Sequence, residues 1–416
     1  MEKNRLGIGF IGGGFISRFH IQSLLGVRDV DVVGVVSKTK QSAEDTAALA
    51  NELGVGPAKA FDTITEMVED PGVDALWVCS PNYTRIETFE EIANAVSSSK
   101  GELIGVACEK PLGRNVAEAK KVLELTQSAD LLDGYLENQV FSPSITRGKE
   151  IIWARGAATT GRPFLARAAE EHSGPHMPWF WEGELQGGGV LNDMMCHSVE
   201  EARFLLTEPG KPRDSIKPIS VSAHTDCLKW QRPKYADILS KNSGGKTDYS
   251  QRPSEDFARS LIEYLDENGE KIIVETTTSW CFVGEGLRLS VELFGPEYSM
   301  FVNTLDPDLK VFFSREVSGE AGEDLVEKQN AESGGMPVVS NEAEVYGYTA
   351  ENRHMVESFL AGKRPEENFS DGVNVTELLM TAYMSAEQGQ TITFPPPELD
   401  TFIPAVARGE WNPRSK

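Results

Sequence analysis

Five short apolar runs punctuate the first third of the chain: LGIGFI at 6–11, VDVVGVV at 30–36, VDALWVC at 73–79, LIGVAC at 103–108 and LLDGYL at 131–136. Runs of this length with little polar alternation predict strands buried on both faces. Between them lie segments such as ETFEEIANAVSS at 87–98 and VAEAKKVLELTQ at 116–127, whose apolar residues recur at spacings of three and four. That spacing predicts amphipathic helices. Strand and helix in alternation make repeated βα units, so residues 1–137 read as an α/β domain with a parallel, doubly wound sheet.

After about residue 160 the rhythm changes to longer alternating runs: RPFLARAAEE at 162–171, ARSLIEYLDENGEKIIVETTTSW at 258–280, LRLSVELFG at 287–295 and YSMFVN at 298–303. Residues 138–416 are therefore expected to form a second α/β domain with a large, open, mainly antiparallel sheet. Asn268-Gly269 between two alternating runs predicts a two-residue hairpin turn. Polar stretches at 230–253 and near 315–342 show no periodicity and read as surface excursions or subunit contacts, and the tail as an extended arm.

Composition narrows the function classes. The 416 residues are 40% hydrophobic and 25% charged, which suits two globular domains rather than a disordered chain. A formal net charge of −24 repels polyanions, so neither nucleic acid nor an anionic membrane is expected as a main partner. The amino-terminal stretch lacks a secretory pattern, and no window approaches the roughly 18 apolar residues of a membrane helix. A soluble, cytoplasmic protein is the expectation. Cys79, Cys108, Cys196, Cys227 and Cys281 are odd in number, scattered and without a CxxC pair, so they read as reduced thiols rather than a metal framework.

The stretch GFIGGGFISRFH sets Gly12, Gly14 and Ser17 at the GxGxxG positions, after a predicted strand and opening a predicted helix. That context is what a dinucleotide fingerprint requires. Gly12 suits the tight turn, and Gly14 the close approach of a pyrophosphate to the free N–H groups at the helix start, near Phe15 and Ile16. At the end of the second strand stand Ser37, Lys38 and Lys40 instead of a carboxylate. A hydroxyl and cations suit the 2′-phosphate of NADP; if the lysines are only solvated charges, NAD fits as well.

Two further motifs, DALWVCSPNYTR at 74–85 and GVACEKPLGRN at 105–115, fall at the carboxyl ends of predicted parallel strands. With the glycine turn and GGGVLNDMMCH at 187–197, they resemble the Gfo/Idh/MocA oxidoreductases, the family of glucose-fructose oxidoreductase and inositol dehydrogenase. The resemblance runs over nearly the whole chain, through the stretch 351–395 that looks like the family's closing helices and last strand. It implies cofactor contacts from Ser80, Pro81, Asn82, Glu109 and Lys110, with Lys110 beside the nicotinamide and the reacting hydroxyl, and a bond to Pro111 that is often cis in the family. The chain departs from the family pattern at Arg85, where a histidine is frequent, and at Val140, where an arginine is, so its substrate is not to be copied from a relative.

Asp193 and His197 are four residues apart and share a face if a helix begins near Asn192. The preceding glycines would let the chain turn sharply and approach a ligand. A metal site lacks further ligands, since His20, His172, His176, His224 and His354 form no second spaced pair with an acid. A core histidine bonded to Asp193 is a second reading. The favoured reading makes His197 the general base for a hydroxyl proton, with Asp193 orienting it or binding a neighbouring hydroxyl, and Lys110 contributed from the other domain across a cleft. His172, His176, Trp179 and Trp181, just upstream, together with Asn138, suit a sugar, glycoside or cyclitol, although loop aromatics also serve simply as packing. The expectation is an NAD(P)-dependent sugar or polyol dehydrogenase, without metal, assembled as a homodimer or homotetramer through its open sheet. The alternatives are a non-catalytic cofactor-binding sensor or corepressor, a nucleotide-dependent glycosidase, or a dihydrodiol dehydrogenase on the same fold.

Overall fold

The computed structural model describes residues 4–284, 286–306, 310–313, 334–337 and 341–414, so most of the polar stretch near 315–342 lies outside the described residues. The chain divides into two compact units, 1–143 with 346–376, and 144–345 with 377–416. The expected boundary at 137 does not foretell the return of 346–376 to the first unit.

In the first unit, β1 (Leu6–Ile11), β2 (Val30–Val36), β3 (Lys59–Ala60), β4 (Ala75–Val78), β5 (Gly105–Glu109) and β6 (Leu132–Leu136) form one sheet in the order β3-β2-β1-β4-β5-β6. Every pairing is parallel. All residues of β1, β4 and β5 are buried, as strands covered on both faces must be. The Lys40–Glu52 and Val116–Ser128 helices start where the side chains of Thr39 and Asn115 accept the N–H of Ser42 and Glu118. Such caps contribute about 1 kcal/mol each. Strand order reverses between β1 and β4, and the carboxyl ends at that point are where a sheet of this kind is expected to bind a ligand.

The returning Tyr348–Leu360 helix is fastened by a buried asparagine. Asn352 accepts the Trp77 indole N–H at 2.8 Å and donates to Ser23 Oγ at 2.8 Å and the Tyr348 carbonyl at 2.9 Å. A buried amide is retained only where such partners exist.

The second unit contains β7 (Leu165–Glu171), β8 (Lys217–Asp226), β9 (Phe257–Leu265), β10 (Lys271–Ser279), β11 (Arg288–Gly295), β12 (Tyr298–Asn303), β13 (Lys310–Phe313), β14 (Gly334–Pro337) and β15 (Ile392–Thr393). Seven of these make a sheet in the order β12-β11-β7-β10-β9-β8-β15, and β13 pairs with β14. Within the seven-stranded sheet only β7 and β10 pair in parallel; the rest is antiparallel, as the alternating runs predict. One face is covered by the Val190–Leu206 helix, all of whose residues are buried. On the other face Arg167 bonds Glu275 at 2.7 Å and Glu292 at 3.3 Å beside the exposed Leu261 and Phe301.

The β9–β10 turn differs from its expected two-residue form. Asp266 N–H reaches the Glu270 carbonyl at 3.0 Å, leaving three residues in the loop, with Gly269 at φ 79°. The Asp266 carboxylate decides this by accepting the N–H groups of Asn268 and Glu270 at 2.9 and 2.8 Å. Among the described residues, no helix is long and apolar enough to cross a membrane.

Candidate active site

The fingerprint turn has the geometry its letters suggest. Gly12 has φ 112°, its N–H donates to the Val36 carbonyl at 2.8 Å, and a Cβ there would stand 2.9 Å from the Cys79 carbonyl oxygen. Ser42 and Thr46 hydroxyls hold the Gly13 carbonyl at 3.1 and 3.2 Å. A Cβ on Gly14 would meet nothing within 4 Å, and the Phe15–Ser23 helix that follows has no side-chain cap. Open space in front of uncapped helix N–H groups is what a pyrophosphate needs, so these residues fit a dinucleotide. Ser17, in the third glycine position, is fully buried, consistent with close packing of helix on strand. Ser37 is partly buried at the end of β2, Lys38 is exposed, and Lys40 lies 3.6 Å from Asp62. Phe15 is exposed and Ile16 half-buried at the helix start.

The turns after β4 and β5 are braced together within the first unit. Arg85, only 2% exposed, donates to the Pro111 carbonyl, to the Lys110 carbonyl at 3.4 Å and to Asn82 Oδ1 at 3.5 Å. The residue that departs from the family pattern thus points inward, onto the turn that carries Lys110. The Ser80-Pro81-Asn82 turn is held in addition by Thr84, whose hydroxyl donates to Ser80 Oγ at 3.0 Å and to the Pro81 carbonyl at 2.8 Å. The Lys110–Pro111 bond is cis, as the resemblance implies. Glu109 turns its carboxylate toward His20 Nε2 at 2.8 Å and accepts Lys110 N–H at 3.1 Å. Burial pushes the Glu109 carboxyl up, but the hydrogen bond and charge of His20, aided by Lys110 and Arg85, outweigh it and hold it below the usual range. Asn138 is buried with its amide donating to the Tyr346 carbonyl at 2.7 Å, and Val140 is buried in the core.

In the second unit the helix begins at Val190, two residues before the expected start, and places Asp193 in its first turn and His197 one turn on. Both are 3% exposed. His197 Nε2 lies 3.9 Å from the carboxylate of Glu170 on β7, a neighbour that no local motif announces.

The aromatic loop divides. Trp181 is buried, bonds the Pro175 carbonyl and packs against Trp230, Tyr249 and Trp280; His172 is fully buried and accepts Gly174 N–H at 2.9 Å. Packing is the role this geometry gives Trp181. Trp179, stacked on Phe180 with centroids 3.8 Å apart, stays half-buried, and His176 is exposed.

The glycines before the helix serve another end than the expected approach to a ligand. A Cβ on Gly188, at φ 158°, would fall 1.9 Å from the Tyr383 hydroxyl, and one on Gly189 would fall 2.4 Å from the Glu255 carbonyl oxygen. They make room for the protein's own groups.

Comparison with known proteins identifies the family of the fold. Residues 6–132 match an oxidoreductase family described as having an NAD-binding Rossmann fold, and residues 156–300 match the GFO/IDH/MocA C-terminal domain. Myo-inositol 2-dehydrogenase of Thermotoga maritima is 29% identical over 202 residues, 48% of this chain and 55% of that protein. Levoglucosan dehydrogenase of Pseudarthrobacter phenanthrenivorans is 24% identical over 76% of this chain and 78% of its own. The chain spans about half the length of the first curated relatives it matches, 55% and 56%. The crystal structure of GenD2 from gentamicin A biosynthesis in complex with NAD superposes with a TM-score of 0.74 and 25% identity, over 95% of this chain and 98% of that one.

Proposed function

The chain belongs to the Gfo/Idh/MocA oxidoreductase family, and from that premise we propose that it is a nicotinamide-dependent dehydrogenase acting on a secondary hydroxyl of a sugar, glycoside or cyclitol, or on the matching ketone. The observation that carries the reading is the buried Val190–Leu206 helix, which carries an acid and a histidine one turn apart. Relatives named for inositol and levoglucosan support the substrate class.

The cofactor would be held by the Gly12–Gly14 turn, the amino end of the Phe15–Ser23 helix, Ser37 and the turn at Ser80-Pro81-Asn82. When bound, its nicotinamide ring supplies the hydride acceptor. Lys110 bonds the oxygen of the reacting carbon, and its ammonium favours the developing oxyanion. His197 takes the hydroxyl proton, a task that imidazole performs near neutral pH. Asp193 binds a neighbouring hydroxyl or orients the ring. Ser37 and Lys38, with no carboxylate at the end of β2, favour NADP over NAD. Five cysteines that form no disulfide fit a cytoplasmic setting, and the partly apolar outer face of the large sheet suits a homodimer or homotetramer.

The test is reduction of NAD+ and NADP+ with a panel that includes myo-inositol and levoglucosan. Wild type is expected to turn over at least one polyol. His197→Ala and Lys110→Ala should lose about 100-fold or more in kcat while still binding reduced cofactor. Variants that turn over at the wild-type rate would overturn the assignment, and tighter binding of NADH than NADPH would overturn the preference for NADP.

A further inference from the structure

The Val190–Leu206 helix carries no cap of its own, because Gly189 at the cap position has no side chain to offer. Its first N–H groups are met from two distant parts of the second unit. Glu255 Oε1 accepts the N–H of Gly189 at 2.8 Å and of Leu191 at 3.2 Å, while the Glu255 carbonyl accepts that of Val190 at 3.0 Å. The Tyr383 hydroxyl accepts the N–H of Gly189 at 3.1 Å and of Asn192 at 3.3 Å, and donates to Glu255 Oε1 at 2.5 Å. Four consecutive backbone donors, 189 to 192, are thus satisfied by two residues that are 0% and 1% exposed.

We propose that Glu255 and Tyr383 are positioning residues for the reaction, a clamp that fixes the rotation and register of the helix bearing Asp193 and His197. The inference rests on the reading of that pair as proton-handling groups. An unsatisfied helix start frays, and the groups of its first two turns wander with it. Displacements of about 1 Å in a reacting group cost on the order of 100-fold in rate. This helix start is held differently from the capped starts at Lys40 and Val116. Elsewhere a single local threonine or asparagine closes the helices at Lys40 and Val116. Here an acid is held in the interior and two glycines are kept free of Cβ atoms so that the clamp can close. Glu255 Oε2 has no hydrogen-bond partner among the described residues, so the contacts of this carboxylate are concentrated on the oxygen that faces the helix.

The experiment compares Tyr383→Phe, Glu255→Gln and Glu255→Ala in the full chain. Three readouts are taken: amide hydrogen exchange of the segment 187–197, NADH binding, and kcat and KM with NAD+ and the polyol that wild type turns over. Tyr383→Phe is expected to exchange that segment about tenfold faster and to lose about tenfold in kcat, with NADH binding and the KM for NAD+ unchanged. Glu255→Gln, which keeps an acceptor oxygen, should retain most of both properties, and Glu255→Ala should lose the most. Wild-type exchange and kcat in Tyr383→Phe would overturn the clamp, as would a glutamine variant as impaired as the alanine one. Should Glu255→Ala fail to fold, the phenylalanine and glutamine variants decide. If wild type turns over none of the polyols, the proposed function fails, and the exchange measurement still decides whether the clamp exists.

Discussion

Three consecutive glycines occur at 12–14 and again at 187–189, each directly before a helix, yet the two turns do opposite things with the space they free. At the first, a side chain on Gly14 would meet nothing within 4 Å, so the vacancy faces outward and is available to a ligand. At the second, side chains on Gly188 and Gly189 would collide with Tyr383 and Glu255, so the vacancy is already filled from within. Both helices lack a side-chain cap. One leaves its N–H groups without a side-chain cap, where a phosphate is proposed, and the other gives them to a buried carboxylate and a phenol. Identical letters therefore make an open turn, the proposed cofactor site, in one place and a structural joint in the other, and only the long-range neighbours tell them apart.

The sharpest way to break this contrast is Gly188→Ala. The added methyl meets the Tyr383 hydroxyl at 1.9 Å on a backbone with φ 158°, so both contact and conformation oppose it. A stability loss of about 3 kcal/mol is expected, read from urea or thermal unfolding. A loss no larger than that of an exposed alanine substitution would show that the joint is loose.

Next in size is a pH effect confined to the second turn. Burial pushes the Glu255 carboxyl up from 4.5 to about 7, against hydrogen bonds from Tyr383, Gly189 and Leu191 that favour its charge. The folded state therefore holds this proton more tightly than the unfolded chain does. That contribution is complete below the unfolded value of 4.5 and is lost as pH rises through about 7. Glu255→Gln has no such proton. Its stability relative to wild type should rise by about 3 kcal/mol between pH 4.5 and 8, measured by urea unfolding at both ends. A difference that stays flat with pH would mean that Glu255 is charged throughout.

The first unit has its own internal brace, of opposite sign: Arg85 faces carbonyl oxygens where Glu255 faces N–H groups. Arg85→Lys keeps the charge but loses the fork that spans Lys110, Pro111 and Asn82. A cost of about 1–2 kcal/mol in stability is expected, with a fall in kcat because Lys110 rides on the braced turn. Unchanged kcat beside a clear stability loss would separate the brace from the chemistry.

Much of the first unit was legible because its signals are local. The runs at 6–11 and 30–36 are strands over the same residues, and the fingerprint turn follows where the spacing places it. The Asp193–His197 pair was legible as a helix face for the same reason. What holds each in place was not. Glu255 stands 66 residues from Gly189, Tyr383 stands 194 from it, and Asn352 is 275 from Trp77. No periodicity connects such positions, because each contact exists only once distant stretches of its own unit have come together. The inward turn of Arg85 escaped, and packing stood as only one of two readings for Trp181, for a related reason: residue type suggests chemistry, and burial decides whether that chemistry faces solvent.

The smallest expected effect on stability belongs to Gly14→Ala, and it separates the two turns most cleanly. Gly14 lies at φ −82° and ψ −171°, an extended conformation open to any residue, and the new methyl would touch nothing. Unfolding of the cofactor-free protein should shift by no more than about 0.5 kcal/mol. Binding is another matter, since the methyl would stand in the space that the pyrophosphate is proposed to occupy. About tenfold weaker binding of reduced nicotinamide dinucleotide is expected, measured by quenching of protein fluorescence. Stability unchanged with affinity reduced would mark the first turn as a site, the converse of Gly188→Ala, where the loss is in the fold itself. If Gly14→Ala bound cofactor as tightly as wild type, the open space at the first turn would have no ligand to explain it.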